Sequence, residues 1–138
     1  MRLPTFRLYE PESLWEAISL LDEFGDDARA IGGGTALVPM MRFGLLRPSH
    51  IVSLQRISGL RDVSKTDGEL RIGALTTLHE VATSQVVQSD CPLLASAAGS
   101  VATPAIRNTG TLGGNLCYAE SASDPAPALL ALVASVNL

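Results

Sequence analysis

Two glycine-rich segments constrain this chain more than any other feature. They are Gly32-Gly33-Gly34-Thr35 and Thr111-Leu112-Gly113-Gly114-Asn115. Each follows an apolar or strand-like approach. Glycine reaches backbone conformations closed to other residues and lets a ligand come close to the peptide N–H groups. Successive N–H groups in such a turn form a concave anion site. A single cluster marks a tight turn as readily as a binding loop. Two of them in 138 residues point to a ligand with two phosphates, held from both sides.

Neither segment fits the commonest owners of glycine loops. Gly32 and Gly34 match the first two positions of a dinucleotide fingerprint, but Leu37 stands where the third glycine belongs. No Gly-Lys-Ser/Thr follows, so the segment is not a Walker loop either. The second segment extends back to Ile106-Arg107-Asn108-Thr109-Gly110. Its hydroxyls and the Asn115 amide add donors to those of the backbone. Asp124 follows in Ser123-Asp124-Pro125. It suits either a ribose-like hydroxyl, as in dinucleotide folds, or the cap of a helix opened by Pro125.

The local patterns predict a small α/β unit at the start. Strands are expected at residues 6–9, 29–31 and 50–54. Ser13 and Glu16 form a capping box for a helix that Gly25 stops. Trp15 is expected to pack that helix on its lobe. Residues 36–42 suit a helical turn, and 61–74 a hairpin turning at Asp67-Gly68. Thr77 and Glu80 make a second capping box, for a helix to about residue 84. A buried helix is expected at 93–101, and a further helix at 127–132. The alternation of Ala134-Ser135-Val136-Asn137-Leu138 reads as a final strand. That strand has no partner after it, so more chain is expected beyond it.

Composition narrows the function classes. Hydrophobic residues make up 46% and charged residues 17%, enough apolar content for a packed core. The net charge of −4 and the absence of a basic run argue against nucleic-acid binding. Only Cys91 and Cys117 occur, without a Cys-x-x-Cys pair, so no metal site is expected. No export signal or membrane-length apolar run is visible, and a cytoplasmic protein is expected. His50 and His79 read as strand-end and helix-surface residues, since no triad surrounds them. Cys117 reads as a small buried hydrophobe. Arg107 reads as a partner for a phosphate or, more simply, for a structural salt bridge. No residue is nominated as catalytic.

At this point the sequence resembles the FAD-binding medium subunit of molybdenum hydroxylases, the group of carbon-monoxide dehydrogenase and xanthine dehydrogenase. The resemblance rests on Gly32-Gly33-Gly34-Thr35, the run 106–115, Ser123-Asp124 and Pro127-Ala128-Leu129-Leu130-Ala131-Leu132. Ile72-Gly73-Ala74 and Leu78-His79-Glu80 also match. It implies an α+β fold of the PCMH type: a small N-terminal α/β lobe, residues 1–56, and part of a larger α+β lobe, 57–138. It implies FAD bound between them. Ala30, Ile31, Gly32, Gly33, Gly34, Thr35, Ala36 and Leu37 would wrap one side of the pyrophosphate. Thr111, Gly113, Gly114 and Asn115 would hold the other, and Asp124 would contact the sugar-like portion. Val101 falls at a cofactor-proximal position, with Tyr118 and Ser123 as further candidates. Gly32 replaces a usual Ala, and Ala36 stands where a polar residue is common. The family chain continues beyond residue 138.

The function implied is flavin electron transfer. A molybdopterin-containing large subunit would oxidise the substrate, and an iron–sulfur small subunit would pass electrons to this FAD. The residues alone leave two rivals open. One is a nucleotide- or pyrophosphate-binding module without redox activity. The other is a self-contained flavin oxidase, which would need acid/base residues that the chain does not display.

Overall fold

The computed structural model describes residues 2–138. Three short strands, β1 (Arg7–Tyr9), β2 (Ala28–Ile31) and β3 (His50–Ser53), form a parallel sheet in the order β1-β3-β2. Parallel neighbours need a crossover. Helix α1 (Leu14–Phe24) supplies it between β1 and β2, and α2 (Leu37–Arg42) between β2 and β3. The middle strand, β3, buries Ile51, Val52 and Ser53 in succession, the pattern of a strand covered on both faces. Leu8 pairs with Ile51 on one side, and Ala30 with Val52 on the other.

Helix α1 starts where Ser13 Oγ accepts the Glu16 N–H at 3.2 Å and stops at Gly25, with φ 49. The return arm of the cap differs from expectation: Glu16 accepts from the Glu12 N–H at 3.1 Å. Ala17, Leu20 and Leu21 pack with Val52 and Ile57. Trp15 does not pack; it is 78% exposed, with Leu14 and Ile18 also exposed. Helical phase explains this, because position 15 lies opposite the face shared by residues 17 and 21. His50, at its strand end, stacks on Phe24 (centroids 3.8 Å apart, 3° between planes) and meets the Tyr9 hydroxyl at 3.1 Å.

The rest is hairpin and helix. Strands β4 (Val63–Thr66) and β5 (Glu69–Ile72) are antiparallel. Asp67 and Gly68 turn between them with φ 53 and 81, both positive as a type I′ turn requires. Then come α3 (Leu78–Thr83), α4 (Gln85–Asp90), α5 (Pro92–Ser100), α6 (Pro104–Arg107), α7 (Leu112–Tyr118) and α8 (Pro125–Ala131). The sequence patterns mark α3, α5 and α8 but not α4 or α6, and the glycine-rich segment of α7 has the composition of a loop. Their core joins Leu78, Val81, Val87, Leu94, Ala98 and Leu112. Helices α3 and α5 approach closely, because a Cβ built on Gly99 would already sit 3.6 Å from that of Ala82.

The expected strand at residues 134–138 does not form: the segment is irregular and exposed. Alternation gives a strand its two faces, but its backbone groups need a neighbouring strand. None of the described residues supplies one. No helix among the described residues is long and apolar enough to cross a membrane.

Candidate functional site

The two glycine segments touch each other. β2 ends at Ile31, and the chain turns through residues 32–36 into α2. Gly34 has φ 73, a conformation that side chains resist. A Cβ on Gly33 would strike the Thr109 carbonyl, and one on Gly32 would lie 3.1 Å from Thr111 Oγ1. Gln55 Nε2 fixes the Gly32 carbonyl at 2.9 Å. These glycines therefore first serve a close contact between backbones.

The second segment is a helix start. Thr111 is the N-cap of α7, its Oγ1 accepting the Gly114 N–H at 3.1 Å. The Leu112 N–H donates to Thr76 O and the Gly113 N–H to Ala74 O, both at 2.9 Å, and the Asn115 N–H closes on Thr111 O. Its backbone donors are thus spent inside the protein. The first segment differs: the N–H groups of Gly33, Gly34, Thr35 and Ala36 have no acceptor among the described residues. Unpaired donors on a sharp turn are suited to an anion.

Beside these segments lies an open groove of about 520 Å³, within the usual range for small-molecule sites. One wall is apolar: Met40 of α2, then Phe43 and Leu45. Met40 and Phe43 are three residues apart, so one helical turn brings them together. Thr35, Ala36, Val101 and Ala102 also line the groove. The facing wall is polar, with Ser100, Asn115, Ser123 and Asp124. Ser123 Oγ donates to Asn115 Oδ1 at 2.7 Å, which leaves the amide N–H groups of Asn115 as donors. Ser100 Oγ lies 2.8 Å from both Asp124 Oδ2 and the Ala97 carbonyl, which share its one proton. Asp124 occupies the N-cap position of α8, yet its side chain makes no cap hydrogen bond. Its carboxylate is free to accept from ligand hydroxyls. Tyr118, half exposed, stands at the rim.

Thr35, Ala36, Val101, Asn115, Tyr118, Ser123 and Asp124 thus meet at one groove. Ala30, Ile31, Gly32, Gly33, Gly34, Leu37, Thr111, Gly113 and Gly114 lie outside its lining. They build the turn and the α7 start beside it. The Ile31 side chain lies beneath Gly34, Ala30 is exposed on β2, and Thr111 is buried. Sequence reasoning missed Met40, Phe43, Leu45 and Ser100. The periodicity of residues 36–42 carried the Met40 signal; nothing local marked Ser100.

Two further expectations need correction. Arg107 makes no salt bridge among the described residues; its Nη1 donates to the carbonyls of Val101 and Ala102 at 2.8 and 2.9 Å. Those carbonyls lie at the end of α5 and just beyond it. Cys117 is exposed, because the buried stripe of the seven-residue α7 is filled by Leu112. His79 is an exposed helix residue, as expected.

Unpaired backbone donors, a carboxylate held by Ser100, and an apolar wall with an aromatic ring suit a ligand with phosphates, hydroxyls and flat rings. That chemistry fits FAD. Comparison with known proteins agrees. Residues 4–138 match the model of a family described as the FAD binding domain in molybdopterin dehydrogenase. The 6-hydroxypseudooxynicotine dehydrogenase complex subunit alpha of Paenarthrobacter nicotinovorans is 41% identical over 99% of this chain and 46% of its own length. The carbon monoxide dehydrogenase medium chain of Hydrogenophaga pseudoflava is 37% identical over 88% of this chain and 42% of its own. The solved carbon monoxide dehydrogenase of the same organism, in a form lacking the Mo-pyranopterin moiety, superposes with a TM-score of 0.88 at 37% identity. That match covers 91% of this chain and 44% of that one. Quinoline 2-oxidoreductase of Pseudomonas putida 86 gives 0.86 at 38% identity. The chain spans a little under half the length of the curated relatives it matches. It belongs to the family of FAD-binding domains of the molybdopterin dehydrogenases.

Proposed function

We propose that this chain is the cofactor-holding part of an electron-transfer subunit in a molybdenum-containing hydroxylase or dehydrogenase. The observation that carries the reading is the convergence of Thr35, Ala36, Val101, Asn115, Ser123 and Asp124, from segments far apart in sequence, on one groove. The cofactor is FAD. It supplies two-electron redox chemistry, which belongs to the flavin rather than to the protein.

The chain's own residues bind and orient. The unpaired N–H groups of residues 33–36 would donate to the pyrophosphate oxygens. The residues from Ala30 to Leu37 form that side of the grip, and those from Thr111 to Asn115 the other. In the second segment the contribution comes from the Asn115 amide, since its backbone donors are spent. Asp124 accepts hydrogen bonds from ligand hydroxyls, and Ser100 keeps its carboxylate in place. Met40, Phe43 and Leu45 cover an apolar ring. In this reading the chain divides into a small lobe, residues 1–56, and a part of a larger one, 57–138, with the cofactor between them. A molybdopterin large subunit and an iron–sulfur small subunit are the partners of this reading. Electrons then leave for an external acceptor.

The reading is tested with the purified chain, alone and recovered from its own cells. A yellow flavin absorbance that co-purifies, and recovery of molybdenum and iron–sulfur subunits with it, are expected. ADP binding without flavin binding would favour a non-redox nucleotide module instead. Oxidation of substrate with no partner present would favour a self-contained flavin oxidase.

A further inference from the structure

The residues that face the groove between α5 and α6 do not explain why the chain bends there. Val101 ends α5 with φ −65 and ψ 120, and Ala102 takes φ 45. A non-glycine residue resists that left-handed conformation. Both residues line the groove. Their N–H groups have no acceptor among the described residues. Their carbonyls, by contrast, are both taken by Arg107 Nη1, and no carboxylate among the described residues pairs with that guanidinium. Arg107 is the last residue of α6, whose start Thr103 caps through the Ile106 N–H. The side chain therefore reaches back over one short helix to the bend that precedes it.

We propose that Arg107 is a positioning residue for the flavin groove: it holds the 101–102 bend by its carbonyls, so that the Val101 side chain and the two free N–H groups form a fixed part of the wall. Hydrogen bonds from a charged donor are stronger than neutral ones, and two of them offset the strain at Ala102. Arg107 acts through the bend and not by pairing with a phosphate. The inference rests on the groove being the FAD site.

The test uses the full chain and four variants: Arg107→Gln, Arg107→Lys, Arg107→Gln with Ala102→Gly, and Asp124→Ala. FAD affinity is read by flavin fluorescence at low and high ionic strength. Amide hydrogen exchange at residues 101–103 is read without FAD. Arg107→Gln is expected to weaken FAD binding about tenfold, equally at both ionic strengths, and to speed exchange at the bend alone. Glycine adopts the left-handed conformation freely, so Ala102→Gly should recover most of the lost affinity. Arg107→Lys keeps the charge but not the two-carbonyl geometry, and should also lose affinity; it carries the test if the Gln variant fails to fold. Wild-type affinity in both Arg107 variants overturns the inference. So does a loss confined to low salt and not recovered by Ala102→Gly, which would mark a direct phosphate contact. If Asp124→Ala weakens binding while the Arg107 variants do not, the inference fails and the site reading stands. A wild-type chain that binds no FAD overturns both.

Discussion

A methyl group on Gly33 would run into the Thr109 carbonyl, and neither a Cβ nor a backbone carbonyl can rotate away. Gly33→Ala should therefore destabilise the chain by about 1–3 kcal/mol, read by urea unfolding, and should weaken FAD binding because the unpaired donors sit on the same turn. Glu80 gives a second prediction at this scale. It closes the Thr77 capping box and accepts three hydrogen bonds from Arg61 at 2.7 to 3.1 Å. The Arg61 hydrogen bonds, more than the Thr77 groups, hold its carboxyl below the usual range. A lowered folded value means that the contribution is full above the ordinary carboxylate range, and is lost as pH falls through the folded value. The pair is well exposed, so Glu80→Gln should cost at most about 1 kcal/mol at neutral pH. Acid unfolding should show that gap closing below about pH 4. At this scale the sequence displayed the glycines and the capping pair openly. It could not display which donors are spent, since Gly113 and Leu112 give theirs to Ala74 and Thr76, far back along the chain.

Helix α7 shows how tertiary contact overrides local preference. Two glycines in its first turns cost about 1 kcal/mol each against alanine, and the sequence pattern accordingly reads as a loop. Thr111 caps the helix, and bonds to residues 74 and 76 anchor it. Propensity alone would make Gly113→Ala stabilising. A Cβ there would lie 2.8 Å from both the Ala74 carbonyl and its Cβ. The clash, about 1–3 kcal/mol, outweighs the gain of about 1 kcal/mol, so net destabilisation is expected in thermal unfolding. The α3–α5 interface was legible because a capping box and a long apolar run mark both helices. Leu94, 2% exposed in that core, should cost about 2–5 kcal/mol when cut to alanine, measured by urea unfolding. Helices α4 and α6 escaped notice because they are too short to show a period. Residues 134–138 misled in the opposite way, with a clear period and no partner strand among the described residues.

Across the whole molecule, the parallel sheet sets β2 and β3 so that the turn after β2 faces the starts of α7 and α8. The sequence disclosed the polar side of the resulting groove, because Asn115, Ser123 and Asp124 are chemically distinctive. The apolar side was hidden, because Met40, Phe43 and Leu45 look like ordinary core residues until the fold shows Phe43 66% and Leu45 70% exposed. The proposed function requires that this groove, and no other surface, receives FAD. Titration of the isotopically labelled chain with FAD, followed by amide shifts in heteronuclear NMR, decides it. Saturable changes are expected at Gly33, Gly34, Thr35, Ala36, Val101, Asn115 and Asp124, with the hairpin of β4 and β5 unmoved. Saturable changes centred elsewhere, or none at all, would contradict it.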